Sequence, residues 1–245
     1  MESNFKEVLN NILFVDLETI PCVDDYEKLS PAFKLLWDKK ASQLNKKELN
    51  ALPSHLLWER AGIYSEFGRI IVIGMGFIVF NSENIPTLRI KALYGNDEKD
   101  LLQSFKRILE VNFNQDKLKL CAHNGKEIDF PYLCRRMVVN QIQLPKILCI
   151  SGKKPWEIPH IDTMEMWIFG DKKAFTSLQL LATLFNITSS KDIMDGSDVS
   201  HVYYKENNLE KIANYCLKDV IVTTQLFLKM NFINTIELHN IIVSD

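Results

Sequence analysis

Three acidic patches, far apart along the chain, carry the residue types that a catalytic metal site requires. The first contains Asp16 and Glu18, the second ends at Asp129, and the third places Tyr215 four residues before Asp219. Carboxylate oxygens are hard ligands of the kind that Mg²⁺ and Mn²⁺ prefer. If the fold brings the patches together, the four carboxylates could hold two divalent cations. Because such a pair of cations supports the hydrolysis of phosphodiester bonds, the pattern predicts a metal-dependent nuclease.

The first patch, Asp16-Leu17-Glu18-Thr19, follows an unbroken apolar run that is typical of a buried strand. Side chains alternate along a strand, so Asp16 and Glu18 are expected on the same side of a sheet. Their charges then repel each other unless a cation lies between them. A strand end at which one acid caps a turn would explain the same residues without a function.

The other two patches also have ordinary structural explanations. Asn124-Gly125 favours a turn that places Asp129 near the start of a helix, where an acid is common. Tyr215 and Asp219 lie one turn apart on the same face of a predicted helix, where they could also be surface residues. The co-occurrence of all three patches, each at the expected edge of a strand or helix, favours one shared site.

The length, composition and net charge of the chain limit the classes of protein to which it can belong. The chain has 245 residues, 47% hydrophobic and 24% charged, with a net charge of −2. This length and composition predict a single domain over 1–245, with a helical insertion at 24–64 and a C-terminal tail at 231–245. The absence of a basic excess argues against non-specific binding of long duplex DNA, so nucleic-acid contacts are expected to be local.

Cysteine usage and the apolar segments predict a cytoplasmic protein. The five cysteines form no Cys-x-x-Cys pair, and an odd number without a secretory signal fits a reducing compartment. Buried free thiols are therefore expected. The longest apolar stretch, Ile70 to Phe80, is too short to cross a bilayer as a helix, and no membrane association is expected.

Hydrophobic periodicity predicts an α/β fold, a mixed sheet flanked by helices, with the helical insertion after the first strand. The predicted strands are 11–16, 69–80, 88–94 (antiparallel to the one before it) and 118–122. The predicted helices include one capped by Asn96 or Asp97, then 130–138, 177–185 and 208–230. No glycine-rich dinucleotide motif or P-loop is present in the sequence.

The three patches resemble the motifs of the DEDD superfamily of 3′–5′ exonucleases, which has a ribonuclease H-like fold. Tyr-x-x-x-Asp in the third patch resembles the DEDDy branch. The surrounding sequence is similar to the proofreading domain of family-B DNA polymerases, and closer still to stand-alone bacterial PolB-like predicted exonucleases. The stretches that carry this resemblance, over about 10–230, are Phe14 to Thr19, His123 to Pro131 with Arg135, and His160 to Asp162. One departure is Ile128, where the family more often has an aromatic residue before the Asp.

The resemblance implies a mechanism and a substrate. Asp16, Glu18, Asp129 and Asp219 would ligate two ions, Mg²⁺ or Mn²⁺, and Tyr215 would orient the attacking water. Leu17, Thr19 and Asn124 would hold the terminal nucleotide. The expected substrate is the 3′ end of single-stranded DNA, with release of nucleoside monophosphates, and a polymerase or repair partner could act in trans. The alternatives are an RNA-directed 3′–5′ exonuclease and a non-catalytic nucleic-acid-binding module of the same fold.

A few further residues have two interpretations each. Asp162 could support the site, or could only cap the helix that follows it. His123, beside the second patch, is better explained by a structural hydrogen bond than by catalysis. Trp156 and the lysine pairs at 153–154 and 172–173 could contact a nucleic acid, or could simply be solvated.

Overall fold

The computed structural model describes residues 2–46, 51–171, 175–188 and 194–244. The strands of its sheet are β1 (Ile12–Pro21), β2 (Gly68–Phe80), β3 (Pro86–Tyr94), β4 (Lys119–Ala122), β5 (Ile161–Asp162) and β6 (Ile241–Val243). They form one six-stranded sheet in the order β5-β4-β1-β2-β3-β6. β1 pairs antiparallel with β2 and parallel with β4, so the strand that carries the first acidic patch lies inside the sheet.

Helices cover both faces of this sheet. The helices of the described residues are α1 (Glu2–Leu9), α2 (Pro31–Asn45), α3 (Ser54–Leu57), α4 (Glu98–Asn112), α5 (Asp129–Val139), α6 (Thr163–Ile168), α7 (Leu178–Leu184), α8 (Val199–His201) and α9 (Leu209–Met230). A π-helical turn, Val202–Glu206, lies between α8 and α9. The side chains of Asp97, Ser177 and Asn208 cap α4, α7 and α9. The predicted α/β class, a mixed sheet flanked by helices, is confirmed.

The two faces of β1 are buried under different helices. Leu13 and Val15 belong to the apolar cluster on the side of α4 and α5, whereas Ile12 and Phe14 belong to the cluster on the side of α9. Burial on both faces explains why this run is apolar at every position rather than at alternate positions. β3 pairs antiparallel with β2, as the alternation in 88–94 predicts.

The segment predicted as a helical insertion, 24–64, contains α2, α3 and short 3₁₀ turns in its described part. It has an apolar cluster of its own, in which the rings of Trp37 and Trp58 pack edge to face with centroids 5.1 Å apart. Residues 47–50 of the insertion lie outside the described ranges. The extent of the domain and its insertion stays a prediction.

The segment predicted as a tail, 231–245, contains the short strand β6, which pairs in parallel with β3 at the edge of the sheet. Three residues are too few for an alternation pattern to indicate a strand. Within the described ranges, none of the helices combines the length and the apolar character needed to traverse a lipid bilayer.

Candidate functional site

Strand β1 presents the first acidic patch to helix α9. Asp16 lies opposite Gly74 and Glu18 opposite Val72 in the pairing with β2, and the register shifts directly after Glu18. One carboxylate oxygen of Asp16, one of Glu18 and the sulfur of Cys216 lie within 4.8 Å of one another. The two acids therefore face the same side of the sheet, as strand alternation predicts.

Two glycines of β2 let α9 approach the sheet closely. A β-carbon built on Gly74 would lie 2.7 Å from Cys216 Sγ, and one built on Gly76 would lie 2.7 Å from Val220 Cγ1. Real β-carbons do not make contacts this short, so a side chain at either position would push the helix away. The absence of these two side chains brings the third acidic patch to the first.

Tyr215 and Asp219 lie one turn apart on α9, next to the acids of β1. Burial raises the pKa of Tyr215 far above its ordinary value, and the negative charges of Asp219, Glu18 and Asp16 act in the same direction. The phenol is therefore protonated at neutral pH. A protonated hydroxyl can donate a hydrogen bond, which suits Tyr215 to orienting a water molecule rather than to accepting its proton.

The second patch is held in place by Asp162, which is 3% exposed. Its carboxylate accepts hydrogen bonds from the backbone N–H groups of Asn124 at 2.9 Å and Lys126 at 3.0 Å. It also accepts one from Met164 N–H at 2.9 Å at the start of α6. The two interpretations of Asp162 are compatible, because the same carboxylate caps α6 and fixes the loop that leads to Asp129.

Asp129 begins α5 and is 7% exposed. Burial raises its pKa to about 7, and the backbone N–H groups of Asp129 and Leu17 oppose this shift by hydrogen bonding. The contact with Leu17 joins the second patch to the first. The pKa of Asp16 is raised by burial and then by the charges of Asp219 and Asp129, so all three patches meet electrostatically.

The donor set fits a divalent cation. Burial raises the pKa of Glu18, and Asp16, Asp219 and Asp129 raise it further in that order. A cation among these carboxylates would offset the repulsion that disfavours ionised Asp16 and Glu18, and carboxylate oxygens are the ligands that Mg²⁺ and Mn²⁺ prefer. The residues present are therefore suited to hold these ions.

The three residues predicted to hold a nucleotide have different environments. The side chain of Leu17 packs against the apolar cluster under α4 and α5. The Thr19 hydroxyl lies beside that of Tyr132. Asn124 has a left-handed backbone with φ of 61°, and its buried Oδ1 accepts no hydrogen bond from the described part of the chain. Asn124 thus offers an unused acceptor in the loop that leads to Asp129.

His123 and Trp156 differ in what they contact. The Nε2 of His123 donates to the carbonyl oxygen of Thr176 at 2.9 Å, and Nδ1 lies 2.8 Å from Thr163 Oγ1, which agrees with the predicted structural role. Trp156 is 74% exposed, with the Lys154 ammonium 5.3 Å from its ring centroid. The pair at 172–173 lies outside the described residues.

A buried histidine near the site makes stability depend on pH. Leu120 N–H donates to His160 Nδ1 at 3.3 Å, and His160 Nε2 donates to the carbonyl oxygen of Ile147 at 3.1 Å, an arrangement that requires the neutral ring. Burial lowers the pKa of His160 to about 4. As the pH falls below about 6.5, the imidazole of His160 is therefore protonated in the unfolded chain before it is protonated in the folded one. This difference lowers the free energy of unfolding by about 3 kcal/mol between about pH 6.5 and pH 4.

We expect urea unfolding at pH 7 and pH 4.5 to reveal this contribution. His160→Gln, which keeps a donor and an acceptor but does not titrate, is expected to lose less stability on acidification than the unsubstituted protein. His239→Gln removes an exposed imidazole and serves as the control. An acid-induced loss of equal size in all three proteins would contradict the assignment.

Comparisons with known proteins identify the family and the fold of the chain. Residues 64–240 match a family model described as "Predicted 3'-5' exonuclease related to the exonuclease domain of PolB". A similar solved structure is the family B DNA polymerase from the hyperthermophilic archaeon Pyrobaculum calidifontis, with a TM-score of 0.53 and 13% sequence identity. The match covers 90% of this chain and 24% of the polymerase chain. A search of the curated proteins found no significant match.

The two comparisons cover different parts of the site. The family model spans the second and third patches but begins after Asp16 and Glu18. The structural match covers nine-tenths of the chain, and at this level of identity it shows the fold alone. The chain corresponds to about a quarter of the polymerase's length.

Proposed function

The chain belongs to the family of predicted 3′–5′ exonucleases related to the exonuclease domain of PolB, and from that premise we propose its substrate and mechanism. It releases nucleoside monophosphates from the 3′ end of single-stranded DNA. Hydrolysis of the terminal phosphodiester bond depends on two divalent cations, Mg²⁺ or Mn²⁺. The observation that carries this proposal is the convergence of four carboxylates, in which Asp219 and Asp129 raise the pKa of Asp16, and these three raise the pKa of Glu18.

The proposed ligands are Asp16, Glu18, Asp129 and Asp219. When bound, the two cations lower the pKa of the attacking water and stabilise the departing 3′ oxygen. Two features of the chain hold the proposed ligands in position. Asp162 fixes the loop before Asp129 through backbone hydrogen bonds, and the close approach of α9 to Gly74 fixes the position of Asp219.

Tyr215 and Asn124 complete the proposed site. The protonated hydroxyl of Tyr215, next to Asp219, orients the attacking water by hydrogen bonding. The buried Oδ1 of Asn124 accepts a hydrogen bond from the terminal nucleotide, which would satisfy an acceptor that the described residues leave unused. The backbone around Leu17 and Thr19 borders the same nucleotide.

Charge and fold support a DNA end as the substrate. A net charge of −2 fits a protein that binds a few terminal nucleotides through cations better than one that binds a long duplex. The fold is shared with a family B DNA polymerase, which favours DNA over RNA and makes a polymerase or repair protein a reasonable partner in trans. The five cysteines are all free thiols, which supports a cytoplasmic location.

Digestion of labelled oligonucleotides tests the proposal. Single-stranded DNA and RNA of the same sequence, each labelled at the 5′ end in one sample and at the 3′ end in another, are incubated with the protein in Mg²⁺, Mn²⁺ or excess chelator. We expect DNA to shorten progressively from its 3′ end in either metal, with mononucleotides as the product, and to remain intact with chelator. Faster digestion of the RNA would replace the DNA assignment with the RNA one.

Two variants serve as a matched pair. Asp16→Ala removes a proposed ligand, whereas Glu127→Ala removes an exposed carboxylate from the second patch. Activity is expected to disappear in the first and to persist in the second. Digestion by Asp16→Ala at the unsubstituted rate would rule out the proposed ligand set, and binding of DNA without any digestion would favour the non-catalytic module.

A further inference from the structure

A buried thiol contacts the first proposed ligand. Cys216 Sγ lies 3.2 Å from Asp16 Oδ2 and 3.4 Å from the backbone carbonyl oxygen of the same residue. Cys216 has no exposed surface. A thiol is a weak hydrogen-bond donor, and both of these Asp16 oxygens lie within its reach.

Packing leaves the sulfur little freedom to move. Cys216 lies on α9 between Gly74 and Asp16, which are paired across β2 and β1. The space above Gly74 is occupied by the sulfur itself, since a β-carbon there would lie 2.7 Å from Sγ. A hydrogen-bond donor that is fixed by packing in this way restricts the orientation of the carboxylate that it contacts.

We propose that Cys216 is a positioning residue, whose S–H group donates to Asp16 Oδ2 and holds that carboxylate in the orientation that binds the divalent cation. This inference rests on the proposed function. Mg²⁺ and Mn²⁺ prefer oxygen to sulfur, so the thiol acts through Asp16 rather than as a ligand.

The sequence alone predicts only that Cys216 is a buried thiol in an apolar run. Its neighbours differ from those of Cys121, which has no exposed surface either and packs in the apolar cluster with Phe14 and Leu217. Replacing either cysteine by alanine removes one buried sulfur. Only at Cys216 does the change also remove the hydrogen bond to Asp16, so the two variants form a matched pair.

The test is a titration of the purified protein with Mn²⁺ alone, without nucleic acid, followed by the electron paramagnetic resonance signal of the free ion. Loss of a hydrogen-bond partner of a metal ligand typically weakens metal binding by about 10- to 100-fold, and we expect a loss of about 10-fold in Cys216→Ala. Cys216→Ser, which restores a donor, is expected to recover most of the affinity. Cys121→Ala is expected to bind Mn²⁺ like the unsubstituted protein while melting at a similarly lowered temperature.

Each outcome has a separate meaning. Equal Mn²⁺ affinity in Cys216→Ala and Cys121→Ala, with normal binding by the unsubstituted protein, would overturn the positioning role and leave the proposed function standing. Serine that binds as weakly as alanine would assign the effect to the size of sulfur and would also overturn the role. Failure of the unsubstituted protein to bind Mn²⁺ would overturn the proposed function together with this inference.

Discussion

The Asp219→Ala variant is expected to lose nucleotide release almost completely while keeping its fold. Asp219 is the charge that acts most strongly on Asp16 after burial, so its removal takes away an anionic group from the centre of the site. Without this carboxylate a cation is misplaced, and a loss of about 4 kcal/mol of transition-state stabilisation corresponds to a rate about 10³-fold lower. The measurement is the initial rate of shortening of 5′-labelled single-stranded DNA at saturating Mn²⁺.

Stability provides the second readout for this variant. Because Asp219 raises the pKa of Asp16 and Glu18 by repulsion, its removal relieves unfavourable charge in the metal-free protein. The melting temperature without metal is therefore expected to stay unchanged or to rise at neutral pH, and its increase on adding Mn²⁺ is expected to shrink. Glu210→Ala, an exposed acid in the first turn of the same helix, is the control and should behave like the unsubstituted protein. Undiminished release by a folded Asp219→Ala variant would remove Asp219 from the mechanism.

Local sequence rules predict the parts of the site that depend on one element. Strand alternation places Asp16 and Glu18 on one side of β1, and helical spacing places Tyr215 and Asp219 one turn apart on α9. The first strand is longer than the predicted 11–16 and ends at Pro21. Its continuation, Leu17 to Pro21, mixes polar and apolar residues and is stabilised by pairing with β2, so its own sequence does not indicate where the strand ends.

Contacts between segments that are distant along the chain could not be predicted from the sequence. The glycines of β2 suggest a close approach or a bulge, but only the fold shows that α9 occupies the space above Gly74. Cys216 meets Asp16 across 200 positions, and Asp162 meets Asn124 across 38. Each of these contacts depends on which strands are neighbours, and periodicity within a strand carries no information about its neighbours.

The Tyr215→Phe variant is expected to separate catalysis from metal binding. The hydroxyl is not among the proposed ligand oxygens, although it hydrogen-bonds to Asp219, so Mn²⁺ affinity is expected to fall by less than the rate of hydrolysis. Loss of one hydrogen bond that orients the attacking water, of about 1.5 to 3 kcal/mol, corresponds to a rate about 10- to 100-fold lower. The two quantities are measured by single-turnover digestion of labelled DNA and by Mn²⁺ titration of the same preparation.

A second tyrosine provides the control for this substitution. Tyr204 packs against the same apolar cluster as Tyr215, and its hydroxyl donates to the carbonyl oxygen of Pro21 at 2.6 Å, away from the carboxylates. Tyr204→Phe therefore loses a hydrogen bond of comparable burial without losing a group from the site, and its rate is expected to be unchanged. Because the raised pKa keeps the Tyr215 phenol protonated, the defect in Tyr215→Phe should be the same at pH 6.5 and pH 8.5. A defect that disappears at the higher pH would assign Tyr215 an acid role, and equal rates in both tyrosine variants would show that its hydroxyl takes no part in hydrolysis.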